Sequence, residues 1–151
     1  MQKNTFIENH ENLVSEFIEA CRGAGLKVTH QRIEIFRALL SSEDHPSAEM
    51  LHKRIVGKLP SISLDTIYRT LATFEQHDLI SRINTSGSQA RFEVVISQHH
   101  HLICSRCNTV IDFHWPAFDN IDQPESIKEW GNISSKNVVI YGMCKNCINK
   151  S

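Results

Sequence analysis

The sequence has no excess of charge of either sign: 16 Lys and Arg face 17 Asp and Glu over 151 residues, and residues 1–90 alone carry 10 basic against 11 acidic side chains. A global positive field that would hold a polyanion is thereby excluded, and any contact with nucleic acid has to be built by local placement. Long apolar runs are also missing, so no segment reads as a membrane span. The opening "MQKNTFIENHENLV" has neither the basic start nor the apolar core of a signal peptide, and the expectation is a cytoplasmic protein. There is no His-Glu-x-x-His helix or comparable helical pair, which leaves a zinc hydrolase without its metal-binding and general-base machinery. The reading is therefore of a non-enzyme.

Among the residues present, the five cysteines stand out by their spacing. Four occur as Cys104-x-x-Cys107 and Cys144-x-x-Cys147. In a reducing compartment, two such pairs read as a closed cage for structural zinc, because each knuckle turns two thiolates toward one ion. A redox dithiol is the alternative reading of a single pair, and the second pair argues against it. The 36 residues between the pairs exceed a short zinc-ribbon spacing and require a small subdomain between them. Within it "NTVIDFHW" and "NVVIYGM" read as strands and "QPESIKEW" as a short helix. Cys21 falls on the apolar stripe of a helical pattern with Leu13 and Phe17, and reads as a small buried side chain.

Directly before the first pair stands "SQHHHLICSRC". On an extended strand the side chains alternate, so His99 and His101 share one face and His100 takes the other. His99 and His101 are a candidate ligand pair. Glu93 on the preceding strand, Asp112 on the following one and His45 in "EDHPSAE" are further N/O ligands, and such a set suits Fe(II), Mn(II) or Zn(II).

The first half predicts helices. Residues 9–24 carry an apolar stripe ending at glycines, and Thr29, Ser47 and Ser63 each offer an N-cap to the segment that follows. After the fourth helix, "SLDTIYRTLATFEQHD", two short strands flank the turn "TSGS". Several short helices followed by a hairpin describe a winged helix-turn-helix, whose last helix enters the major groove. Thr66, Tyr68, Arg69 and Thr70 lie off the buried stripe of that helix and are suited to base and phosphate contacts, with Gln31 and Arg32 as phosphate contacts from "THQR". A solvated face, or a dimer or docking module, is the alternative reading of these residues alone.

Taken together, "VTHQRIEIFRAL", "HPSAEMLH", "SISLDTIYRTLATFEQHDLI", "RFEVVISQHHHLICSRCNTVIDFHWP" and "IYGMCKNC" resemble the ferric uptake regulator (Fur) superfamily over about residues 12–149. The resemblance implies an α+β chain. An N-terminal winged-helix DNA-binding domain, residues 1–94, would precede a small α/β dimerisation domain with a four-cysteine zinc site, residues 95–151. It implies structural Zn2+ at Cys104, Cys107, Cys144 and Cys147, and a regulatory Fe2+ or Mn2+ at His45, Glu93, His99, His101 and Asp112. It implies a homodimer that represses transcription from a palindromic double-stranded operator when the metal is bound. The segment "VIDFHWPAFD" resembles the peroxide-sensing branch, which carries aspartate at the Asp112 position and in which His45 or His99 is the residue oxidised. Glu93 stands where that branch commonly has aspartate, and "ISSKNVVIYG" lacks the histidine of the family's additional metal site. An iron-responsive repressor is the alternative within the family, and a zinc-ribbon adaptor without a regulated metal site is the alternative outside it.

Overall fold

In the computed structural model, which describes residues 2–150 and the side chains from position 9 onward, the chain divides into two compact units, Met1–Val95 and Ile96–Ser151. The end positions of the two expected domains, Met1 and Ser151, lie outside the described residues.

The first unit opens with α1, Gln2–Gly23, longer than the expected 9–24 at its start. It ends on a glycine cap: Gly25 has φ +72°, and the amide of Leu26 donates back to the Cys21 carbonyl at 2.8 Å. Helices α2 (His30–Leu40), α3 (Ala48–Ile55) and α4 (Leu64–Gln76) start where the sequence places their caps. Thr29, Ser47 and Ser63 are each extended, and each hydroxyl accepts from the amide three residues on, at 3.2, 3.2 and 3.1 Å. The faces so aligned make one core that includes Phe17, Cys21, Ile35, Phe36, Leu39, Leu51, Ile67, Leu71 and Phe74. Phe17 is its hinge pin, stacked on Phe36 at 4.0 Å between ring centroids and edge-on to Phe74 at 5.0 Å. Thr70, expected off the apolar stripe, is buried at 9% exposure, because it lies one turn from Ile67 and Phe74 and next to Leu71 on the same wide stripe.

Strands β1 (Ser81–Ile83) and β2 (Arg91–Glu93) then pair antiparallel, with Arg82 opposite Phe92. Phe92 sends its amide proton away from β1 to the Pro46 carbonyl at 3.0 Å, so the turn before α3 is sewn to the outer side of the wing.

The second unit is a three-stranded sheet ordered β4 (Val110–Phe113), β3 (His100–Cys104), β5 (Val139–Gly142), antiparallel on one side of β3 and parallel on the other. A short α5, Pro116–Asp119, follows β4, and a five-residue α6, Lys145–Asn149, closes the unit. The segment expected as a short helix is a 3-10 helix, Glu125–Trp130, with no side-chain cap and no buried residue. With no apolar face to bury, it has no packing to draw it into the α form. At the middle of β3 the two faces differ sharply. Ile103 and Val110 are buried opposite one another, whereas the neighbouring row of Leu102, Ile111 and Ile140 is 40, 52 and 41% exposed. Among the described residues no helix is long and apolar enough to cross a membrane.

Candidate metal centres and nucleic-acid interface

The four paired cysteines meet in the second unit, with their sulfurs all within 4.8 Å of one another. Two local structures bring them there. Cys104 ends β3, and the chain turns back through Asn108 at φ +60°, whose amide donates to the Cys104 carbonyl at 2.9 Å. Cys144 stands at the start of α6, whose first turn lifts Cys147 beside it. The parallel pairing of β3 and β5, with Cys104 opposite Gly142, delivers one knuckle to the other.

The donor chemistry fits a cation. The amide of Cys144 donates to Cys104 Sγ at 3.4 Å, and with other backbone amides it pulls that thiol down to about 6. The Thr109 hydroxyl, 3.0 Å from Cys107 Sγ, lowers Cys107 as well. Burial, reinforced by its three sulfur neighbours, pushes Cys147 up to about 12. Four thiolates this close repel one another unless a cation lies between them, and an all-sulfur tetrahedral set is that of structural zinc.

At the entry to the same strand, two imidazoles converge. His99 presents Nδ1 to the Ser97 carbonyl at 2.8 Å, which places its proton there and turns the Nε2 lone pair outward. That Nε2 lies 3.1 Å from His101 Nε2, and the two are 3.5 and 3.3 Å from Asp112 Oδ1 on β4. The register supplies this, since His101 and Asp112 are directly paired. Two nitrogens each about 2.1 Å from one ion at right angles would lie about 3.0 Å apart, which is the spacing found.

In the first unit, His45 Nε2 sits 3.0 Å from Glu93 Oε2, both residues buried. The Phe92–Pro46 hydrogen bond and an Arg91 guanidinium donating to the His45 carbonyl at 3.3 Å fix this pair. His45 adopts φ +50° immediately before Pro46, an uncommon conformation for a non-glycine residue and a marker of a functional constraint.

The expected DNA-facing residues are engaged within the chain. Tyr68 is 44% exposed, and its hydroxyl donates to the Glu49 carboxylate on α3. That bond raises the phenol and lowers the carboxyl from their ordinary values. Arg69 pairs with Asp65 one turn back at 3.0 Å, both well exposed. The Thr66 hydroxyl meets the cap hydroxyl of Ser63 at 2.8 Å, so it belongs first to the helix start. Gln31 is exposed, and Arg32 spends one donor on the Lys27 carbonyl at 2.6 Å. Sequence reasoning missed Glu49. It also gave His100 no role, although the residue is fully buried with its ring nitrogens engaged. The alternation of the strand puts His100 on the face of the exposed Leu102, so its burial comes from Phe113, Phe118 and Asp119, which cover that end of the strand.

The ferric uptake regulator family model matches residues 23–141. The chain belongs to the ferric uptake regulator family. It is 33% identical to the peroxide-responsive repressor PerR of Staphylococcus epidermidis, over 93% of this chain and 94% of that one. It is 32% identical to the peroxide operon regulator of Bacillus subtilis, over 91% and 94%. Among solved structures, it is similar to the ferric uptake regulator of Helicobacter pylori, described as having three functional metal-binding sites, with a TM-score of 0.77 at 30% identity over 92% of this chain and 93% of that one. Members of this family are DNA-binding dimers, and this chain is a metal-dependent transcriptional repressor with a structural zinc cage.

Proposed function

We propose that this repressor senses peroxide, with residues 1–94 binding DNA and residues 95–151 forming the homodimer and sensing the metal. The observation that carries the sensing half is the convergence of His99 and His101 Nε2 at 3.1 Å beside the Asp112 carboxylate. Borderline imidazole nitrogens with a hard carboxylate oxygen suit Fe(II) or Mn(II). His45 and Glu93, held together at 3.0 Å in the first unit, complete the set of five ligands by the family resemblance. The family resemblance implies that metal binding sets the spacing of the recognition helices in the dimer to suit a palindromic operator in the cytoplasm.

Tyr68 and Arg69 are the base-reading residues of this proposal, with Thr66 beside them and Gln31 and Arg32 on the phosphates. The Glu49 carboxylate holds the phenol of Tyr68, and Asp65 holds Arg69, until DNA is engaged. The exposed row of Leu102, Ile111 and Ile140 supports dimerisation through the sheet, since an apolar face of this kind is covered by a second copy in a two-fold assembly.

A bound ferrous ion would lend an electron to open the peroxide O–O bond and recover it from the ring, so the iron is unchanged at the end and the ring is the group oxidised. The chain supplies the target: one peroxide oxygen is inserted at a ring C–H of His45 or His99, and the other leaves as water. His99 is held in place for this by its Nδ1 bond to Ser97. An oxidised ring is a poorer ligand, so the restraint is lost and repression lifts. Asp112, one carbon shorter than glutamate, leaves more room on that side of the ion.

The test is mass spectrometry of protein loaded anaerobically with Fe(II) and given a small excess of hydrogen peroxide, beside a Mn(II)-loaded control. One added oxygen on the peptides containing His45 or His99, with iron only, is the expected result. Unmodified histidines with DNA affinity that follows Fe(II) concentration would make the protein an iron-responsive repressor instead.

A further inference from the structure

We infer that His100 and Asp119 form a clasp that positions the regulatory ligands, which makes Asp119 a positioning residue for metal binding although it reaches no ligand atom. The inference rests on the assignment of His99, His101 and Asp112 to the regulatory ion.

His100 is 0% exposed, packed against the rings of Phe113 and Phe118 at 5.4 Å from each. Its hydrogen bonds fix its tautomer. The Val138 amide donates to Nδ1 at 3.0 Å, so the proton of the neutral ring is on Nε2, and it is donated to Asp119 Oδ1 at 2.9 Å. The same oxygen accepts from Gln98 Nε2 at 3.0 Å, and that amide group also donates to the Lys136 carbonyl at 3.2 Å. One ring therefore ties together three segments: β3, on which it sits, α5, which carries Asp119, and the entry to β5 at Val138.

The placement gives this consequence. His100 stands between His99 and His101 as the first residue of β3, and anchoring the backbone there restrains the side chains on either side of it. Asp119 lies on the helix that follows β4, the strand bearing Asp112, so the bond to His100 also restrains β4 against β3. The His101 amide donates to the Val138 carbonyl at 3.1 Å, which makes the backbone of Val138 bond both to the clasp and to a ligand residue. Supporting hydrogen bonds of this kind orient metal ligands, and their loss weakens metal affinity by about 10- to 100-fold.

The decisive measurement is Mn(II) affinity by electron paramagnetic resonance on the full-length, zinc-loaded protein, for Asp119→Ala, Asp119→Asn and His101→Ala. Asp119→Ala should weaken Mn(II) binding by roughly tenfold or more. Asp119→Asn keeps an acceptor oxygen and should restore affinity toward wild type, which a general loss of packing would not do. Zinc content and α4 amide protection should stay unchanged in both. A folded Asp119→Ala protein with wild-type Mn(II) affinity would overturn the clasp while leaving the regulatory site intact, provided His101→Ala abolishes binding. If His101→Ala also binds normally, the site assignment itself falls, and the clasp with it. Should Asp119→Ala fail to fold, Gln98→Ala removes one arm of the clasp on a milder scale. A loss of Mn(II) affinity there supports the inference, and unchanged affinity overturns it.

Discussion

Removing the zinc should unfold the second unit and leave the first standing. In the 56-residue second unit, the buried apolar side chains among the described residues are Ile103 and Val110 together with the ligands Cys104 and Cys147. Burying two aliphatic side chains contributes about 1.5–3 kcal/mol each, or about 3–6 kcal/mol in all. A structural zinc site contributes an apparent ~10–16 kcal/mol near neutral pH. The metal term is thus larger by a factor of two to five, and a unit this small falls in the range that relies on metals or oligomerisation. The first unit, by contrast, buries 15 apolar residues in one cluster among the described residues and does not draw on the metal. The perturbation is Cys147→Ser with the loss of zinc verified by elemental analysis, and the assay is amide hydrogen exchange read by mass spectrometry. Peptides covering β3 and β5 should lose their protection, those covering α2 and α4 should keep theirs, and the dimer should dissociate because Leu102, Ile111 and Ile140 no longer share a sheet. Native protection of β3 and β5 in protein shown to be free of zinc would refute the reasoning, since two aliphatic side chains would then have sufficed.

Four further outcomes follow from individual contacts. Arg69→Ala should weaken operator binding by about 1–3 kcal/mol in a DNA titration, and unchanged affinity would remove Arg69 from the base-reading set. Ser63→Ala deletes the cap of α4 and the partner of Thr66, and should lower the stability of the first unit by about 1 kcal/mol in urea denaturation. The Arg54 guanidinium, bonded to Asp44 at 2.5 and 2.9 Å, holds the Asp44 carboxyl below the ordinary aspartate range. A depressed carboxyl stabilises above its unfolded value and loses that contribution as pH falls through the folded one. The stability gap between wild type and Arg54→Ala should thus be present at neutral pH and close below about pH 4. Both side chains are more than a third exposed, so the gap is held by solvent screening to about 0.5 kcal/mol, a size that denaturation curves at several pH values can resolve. Asp112→Glu should slow histidine oxidation at equal iron loading, and full peroxide sensitivity would count against the role given to the shorter carboxylate.

By itself the sequence determined the features that depend on near neighbours. Thr29, Ser47 and Ser63 cap their helices because a hydroxyl reaches an amide three residues on whatever the rest of the chain does. The Cys-x-x-Cys spacing closes a knuckle locally, and the two-residue period of a strand separates His99 and His101 from His100. The tertiary structure decided which distant groups meet. His45 reaches Glu93 because a wing strand spends its Phe92 amide on Pro46, a bond across 46 positions that no local pattern encodes. Tyr68 meets Glu49 because α3 and α4 pack together, and His100 finds Asp119 because the turn after β4 brings α5 back over β3. Even the identity of a helix type was settled this way: Glu125–Trp130 carries a helical pattern, but with no face to bury it stays a 3-10 helix. Local hydrogen bonds can be read from spacing, whereas a buried histidine differs from an exposed one only by what the rest of the chain places against it.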